Sequence, residues 1–178
     1  MFRNTAEGYG LVSRVLHWAI AAGVVGMMIF GTRIAAMEPS LSNYWLYGVH
    51  KSFGLTILGL VLIRLVWHRI SPVPEPAGMA GTWQHGLARG VHILLYLFLL
   101  AIPVSGWVAS SATGIDTVFF NIVVMPAIAP PSEVVAAWGF AVHGALWKGL
   151  LALIALHVAG ALRHGFGPGS ALRRMGRG

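Results

Sequence analysis

The chain has 178 residues, 57% of them hydrophobic and only 10% charged, with a formal charge of +7 and a mean hydropathy of +0.75. Soluble domains carry about 25% charged residues, so this composition excludes an ordinary water-soluble globule, and the basic residues lie between apolar runs rather than on one polar face, which argues against nucleic acid as a partner. The absence of cysteine excludes disulfides, thiolate metal sites, iron–sulfur clusters and thioether-linked cofactors.

A bilayer core is crossed by about 20 apolar residues, and four segments reach that length. The first ten residues, MFRNTAEGYG, are mixed, and the run after them, from about Leu11 to Thr32, is a full span rather than a short signal core. The second span is expected from about Leu46 to Trp67, the third from about Gly90 to Ser110, and the fourth from about Val134 to Leu162. The link over 70–85 contains Pro72, Pro74 and Pro76 and is expected to be an extended loop; the link over 111–133 contains Pro126, Pro130 and Pro131. Neither an internal repeat nor a second domain is visible, so the expected fold is all-α, an up-down four-helix transmembrane bundle over 1–178. Its lipid partner is the membrane itself.

Positive residues orient such a bundle. Arg3 and Arg14 open helix 1, Arg64, Arg69 and Arg89 flank the 2–3 link, and Arg163, Arg173, Arg174 and Arg177 follow helix 4, against Arg33 and Lys51 at the other ends. Both termini and the 2–3 link are therefore expected to be cytoplasmic.

Five histidines, His17, His50, His92, His143 and His157, lie within or at the mouth of the spans. An ionisable group in lipid is costly and is normally buried against a partner. One such histidine is readily a hydrogen bond between helices; five on four helices point to a shared task. His143 and His157 are fourteen residues apart on helix 4. At about 100° and 1.5 Å per residue they share a face and lie roughly 21 Å apart along the axis. Imidazole is the common axial ligand of b-type haem, so two depths on one face suit two stacked haems. At the outer depth only His50 faces His143. At the inner depth His17 and His92 both compete for His157.

Helix 2 carries His50 and Arg64 fourteen residues apart, so Arg64 has the register either to meet a haem propionate or to snorkel to the surface. Gly54 and Gly59 allow a close approach to a flat ring, although glycine also serves plain helix packing. On helix 3, His92, Tyr96, Pro103, Gly106 and Ser110 share a face, and Gly106 suits a helix that wraps the outer haem without binding its iron. Lys148 lies off the histidine stripe of helix 4, within reach of the surface, a carboxylate such as Glu133, or a propionate. His68 and His85 read as solvated histidines at the cytoplasmic boundary; His164 continues the helix 4 stripe and suits proton exchange.

These residues resemble the bacterial cytochrome b561 family. The resemblance is carried by LHW at 16–18, GVHKSFG at 48–54, IRLVWHR at 63–69, GVHILLY at 90–96, PVSGWVASS at 103–111 and AVHGALWKGLLALIALHVAGALRHGF at 141–166. It implies a small di-haem protein of the inner membrane with ligands on helices 1, 2 and 4. His17 would then join His157 at the inner haem and His50 would join His143 at the outer one, leaving His92 as a pocket residue near a quinone. It implies electron exchange between the quinone pool and a periplasmic donor or acceptor; superoxide oxidation coupled to ubiquinone reduction is an activity ascribed within the family. Superoxide would meet Lys51 beside His50, and Arg14, Arg89, His92 and His164 are candidates to position a quinone. The rival readings are a haem-b anchor subunit of a periplasmic dehydrogenase and a haem-free transporter bundle with buried histidines.

Overall fold

The computed structural model describes residues 1–74, 83–163 and 170–176. Four long helices dominate it: α1 (Leu11–Ala35), α2 (Tyr44–Ile70), α3 (Trp83–Ala112) and α4 (Glu133–Arg163). Each is long and apolar enough to cross a membrane. Their outward faces carry exposed Val15, Ile29, Leu62, Val66, Leu97, Trp138 and Leu151. Water would not tolerate so continuous an apolar surface, whereas a lipid surround needs only that the backbone hydrogen bonds be satisfied within each helix. The chain is therefore a multi-pass membrane bundle.

Helix α3 packs most closely on α4, α1 packs on α2, and α2 bridges to α3. Small residues set the α3–α4 contact. A Cβ at Gly139 would meet the Ala109 Cβ at 2.7 Å, and one at Gly149 would meet the Phe98 ring at 2.6 Å, so these backbones approach in the manner of small-residue membrane interfaces. Among the described residues α1 makes no comparably close approach to α4.

The buried core is small: Ile20 and Val24 from α1, Ile57 and Val61 from α2, and Leu150 from α4. Val61 is fully enclosed. Ile20 and Val24 follow His17 on α1, Ile57 and Val61 follow His50 on α2, and Leu150 is midway between His143 and His157. The apolar core is thus a layer between two polar levels.

The helix ends group into two opposite ends. At one, the N-terminal segment folds against the end of α2: Asn4 donates from its backbone N–H to Ser71 Oγ (2.8 Å) and from Nδ2 to the Ser71 carbonyl (2.9 Å). Gly10, the residue before α1, lies directly on the Arg3 and Phe2 backbone, leaving no room for a side chain. The short α5 (Ala171–Gly176) also docks here, its Met175 carbonyl accepting from Trp18 Nε1 at 3.1 Å.

The opposite end carries an antiparallel hairpin, β1 (Thr117–Phe119) with β2 (Val123–Met125), pairing Val118 with Val124. Its turn places Phe120 and Asn121 at positive φ, 46° and 58°, the left-handed pair that hairpin turns prefer. A phenylalanine is strained there. It is held by its N–H donating to Ser52 Oγ (2.9 Å) and by its ring against Phe53 at 5.3 Å. The hairpin is therefore clasped to α2 directly after His50 and Lys51.

Two boundaries differ from the sequence expectation. The 111–133 link is not all loop, because TVFFNIVVM is a β-branched and aromatic run with asparagine at its turn. Helix α3 begins seven residues before Gly90, at Trp83, because WQHGLAR is helix-competent without being apolar, and span length counts only the apolar part.

Candidate functional site

The four helices bring the histidines together in two facing sets. At the hairpin end, the His50 and His143 rings lie 6.2 Å apart between centroids. At the terminal end, His17 and His157 are also 6.2 Å apart, while His92 and His157 are 5.1 Å apart with edge-to-face rings. An imidazole–metal bond is about 2.0–2.1 Å and the nitrogen lies about 1.1 Å from its ring centroid, so two imidazoles sharing one metal axially stand about 6.3 Å apart. Both 6.2 Å pairs have room for that arrangement. The 5.1 Å pair is too close for it.

Ring orientation is built in at the hairpin end. His143 Nδ1 is 2.9 Å from the Ile102 carbonyl and 3.4 Å from Ser105 Oγ. A carbonyl only accepts, so Nδ1 carries the proton and Nε2 keeps its lone pair, the form a metal needs. The carbonyl belongs to the residue before Pro103, inside α3. Glycines line both rings of this pair: a Cβ at Gly106 would meet His143 Nδ1 at 3.1 Å, and one at Gly31 would meet His50 Cε1 at 3.1 Å. Gly106 lies against the His143 ring, as its register on α3 led one to expect. Gly31 escaped sequence reasoning, because only the α1–α2 crossing puts it on His50. Gly54 meets nothing closer than Met27 at 4.0 Å and Gly59 meets nothing within 4 Å, so neither marks a close approach. Gly106→Val is expected to push the His143 ring off its Ile102 bond and weaken cofactor retention at this level, checked by haem content after purification.

His50 Nδ1 is buried and has no hydrogen-bond partner among the described residues. The next residue, Lys51, is half-buried. Phe30 flanks the His50 ring at 6.1 Å.

At the terminal end Arg64 is the central polar group. It is 8% exposed, so it does not snorkel. Its NH1 donates to the Ser13 carbonyl (3.0 Å) and its Nε donates to Tyr96 Oη (2.9 Å). Ser13 lies one turn before His17, and Tyr96 lies one turn after His92, so the guanidinium sits beside the terminal-end histidine set. Ser13 Oγ accepts from Trp67 Nε1 (3.0 Å) and donates to Asn4 Oδ1 (2.7 Å). This network ties the N-terminal segment, α1, α2 and α3 into one polar plug.

Other expectations fall out differently. His68 is not a solvated boundary residue: it is half-buried, and its Nδ1 is 3.3 Å from Tyr96 Oη. Arg14 NH1 donates to the Gly176 carbonyl at 3.2 Å. Lys148 is exposed on α4, and Glu133 lies fifteen residues away along that helix, about 22 Å, beyond any direct ion pair. Arg89 is exposed and His85 half-buried near the start of α3. His164, Arg177 and Pro76 lie outside the described residues.

Four membrane helices with imidazoles facing in pairs across the bundle define a class, the membrane cytochromes that hold b-type haem between helices. Residues 8–178 match the family described as prokaryotic cytochrome b561. The chain is 33% identical over 168 residues to cytochrome b561 homolog 2 of Escherichia coli, covering 93% of this chain and 88% of that one. It is 30% identical over 161 residues to cytochrome b561 homolog 1 of the same organism, covering 84% and 85%. It is 24% identical over 156 residues to the probable superoxide oxidase CybB of Yersinia pestis, covering 88% of each. The chain belongs to the prokaryotic cytochrome b561 family. It is a multi-pass protein of the bacterial inner membrane that carries out haem-dependent electron transfer.

Proposed function

We propose that the chain, as a single di-haem domain, moves electrons across the membrane through two b-type haems, between a periplasmic redox partner and the quinone pool. The observation that carries this reading is the repetition of one spacing: two histidine pairs, each at 6.2 Å, on either side of an apolar core. On this reading His50 and His143 hold the outer haem, and His17 and His157 hold the inner one. His92 is then a pocket residue, because its 5.1 Å approach to His157 leaves no space for iron.

The cofactor supplies one-electron chemistry at iron; the protein supplies its position and surroundings. His143 presents Nε2 because Ile102 and Ser105 hold Nδ1. Gly31 and Gly106 keep the outer rings free of neighbouring side chains. Two imidazoles per iron leave no open coordination site, so the residues favour relay over oxygen binding. Arg64, buried without an acidic partner among the described residues, gives the inner level a fixed positive charge suited to a propionate. The basic residues of the terminal end favour the cytoplasm for both termini, which puts the hairpin and Lys51 in the periplasm. The relative named a probable superoxide oxidase favours superoxide as the donor, and Lys51 next to His50 is the cation that would attract it.

The test is a reduced-minus-oxidised spectrum and a haem-to-protein ratio on the purified protein. Two haems per chain are expected, reducible by superoxide and reoxidised by added ubiquinone. A ratio of one, or no b-type band, overturns the two-haem reading. Haems that respond to neither superoxide nor quinone would point to the anchor of a dehydrogenase.

A further inference from the structure

The hairpin covers part of a helix face that is otherwise turned to lipid. Ser52 stands nine residues before Val61, the enclosed core residue of α2, so the two point to opposite sides of the helix. Ser52 shares its side instead with Trp45, seven residues before it, and Ile63, eleven after it, which are 63% and 56% exposed. Yet Ser52 itself is only 1% exposed. The hairpin encloses it: Ser52 Oγ accepts from the Phe120 N–H at 2.9 Å and lies 3.5 Å from the Val118 carbonyl, and β1 packs on α2. The hairpin is therefore folded back along the lipid-facing flank of α2 rather than projecting from the bundle into water.

Aromatic rings mark its depth. Exposed tryptophan favours the boundary between headgroups and acyl chains, and exposed Trp45 and Trp138 stand near the starts of α2 and α4, both at the hairpin end. Ser52 is seven residues past Trp45, about 10 Å further along α2. The far side of the hairpin is tied at a similar level: Trp107 Nε1, five residues before the end of α3, donates to the Pro126 carbonyl at 3.1 Å. From 117 to 132 the chain carries no charge, and Ile122 and Val124 are 81% and 60% exposed. An uncharged strand pair so exposed is an aggregation hazard in water. Strand β2 pairs on one side only, so its other edge still needs hydrogen-bond partners, which acyl chains lack and hydrated headgroups supply. Apolar side chains beside an open backbone edge fit the layer between water and hydrocarbon.

We infer that the hairpin is an interfacial anchor, with Ile122 and Val124 inserted among the phospholipids of the leaflet at its end of the bundle, at the headgroup–acyl boundary. Lipid is the occupant because the apolar surface is continuous with one that already faces lipid: the clasped Ser52 lies between Trp45 and Ile63 on the same side of α2. The uncharged segment also lacks the charged side chains that would rim a protein interface. The clasp is two residues after His50, about 3 Å along the helix axis, so the anchor holds the membrane surface at a fixed height relative to the His50–His143 pair.

The chain has no cysteine, so a single introduced cysteine reports its position without background. Ile122→Cys carrying a nitroxide is read by power-saturation electron paramagnetic resonance in the haem-loaded full chain, in nanodiscs of phosphatidylethanolamine and phosphatidylglycerol. Oxygen concentrates among acyl chains and a nickel chelate stays in water. Ile63→Cys marks lipid, and Glu38→Cys, exposed between α1 and α2, marks water. The ratio of oxygen to nickel collisions at 122 is expected to exceed that at 38 severalfold and to approach that at 63. A ratio equal to that at 38 puts the hairpin in water and overturns the inference. A label shielded from both reagents overturns it as well, because a second copy of the chain, not lipid, would then cover the hairpin. Val124→Cys, read in the same way, carries the test if Ile122→Cys does not load haem.

Discussion

His143→Ala is expected to purify with one haem per chain instead of two, and the remaining haem is expected to keep its own absorption maximum. The substitution removes the imidazole that stands 6.2 Å from His50 and frees the Ile102 carbonyl that had held it at 2.9 Å. One imidazole does not replace two, and among the described residues His50 has no second histidine within reach at that level. The inner pair is about 21 Å away along α4, behind Ile57, Val61 and Leu150, so its geometry is insulated from the loss. His50→Ala is expected to act alike. Haem content by pyridine haemochromogen assay against protein concentration reads the result directly. A His143→Ala protein that still binds two haems would remove the basis for the outer pair.

The second large effect separates His17 from His92. His17→Ala is expected to lose the inner haem, whereas His92→Ala is expected to retain both and to shift only the spectrum or potential of the inner one. The distances decide this: 6.2 Å from His17 to His157 has room for a metal between ring nitrogens, and 5.1 Å from His92 to His157 does not. Haem stoichiometry and a redox titration of the two variants, side by side, distinguish the assignments. Loss of haem from His92→Ala with retention in His17→Ala would invert the inner pair.

Much of the bundle was legible before any coordinates. Span length and composition are local properties, and lipid removes the alternatives: a backbone that cannot bond to water must form helices or a closed barrel. Helix boundaries were less legible where the residues are polar but helix-forming, as in Trp83–Arg89. The hairpin over 117–125 is not legible in the sequence, because three-residue strands leave little pattern and its strained Phe120 is held by Ser52 and Phe53, far away in sequence.

For the site, the sequence by itself determined which residues carry imidazole, that five of them occur at two depths, and that Arg64 shares the register of His50. Periodicity along one helix suffices for that. Tertiary structure decided what lies across from each group. It set His17 at 6.2 Å and His92 at 5.1 Å from His157, placed Gly31 against His50, turned Arg64 inward to Ser13 and Tyr96, and put half-buried His68 against Tyr96 rather than in solvent. The physical reason is the same in each case. A helix dictates the direction in which its own side chains point, but the separation between two side chains on different helices depends on how closely the backbones pack.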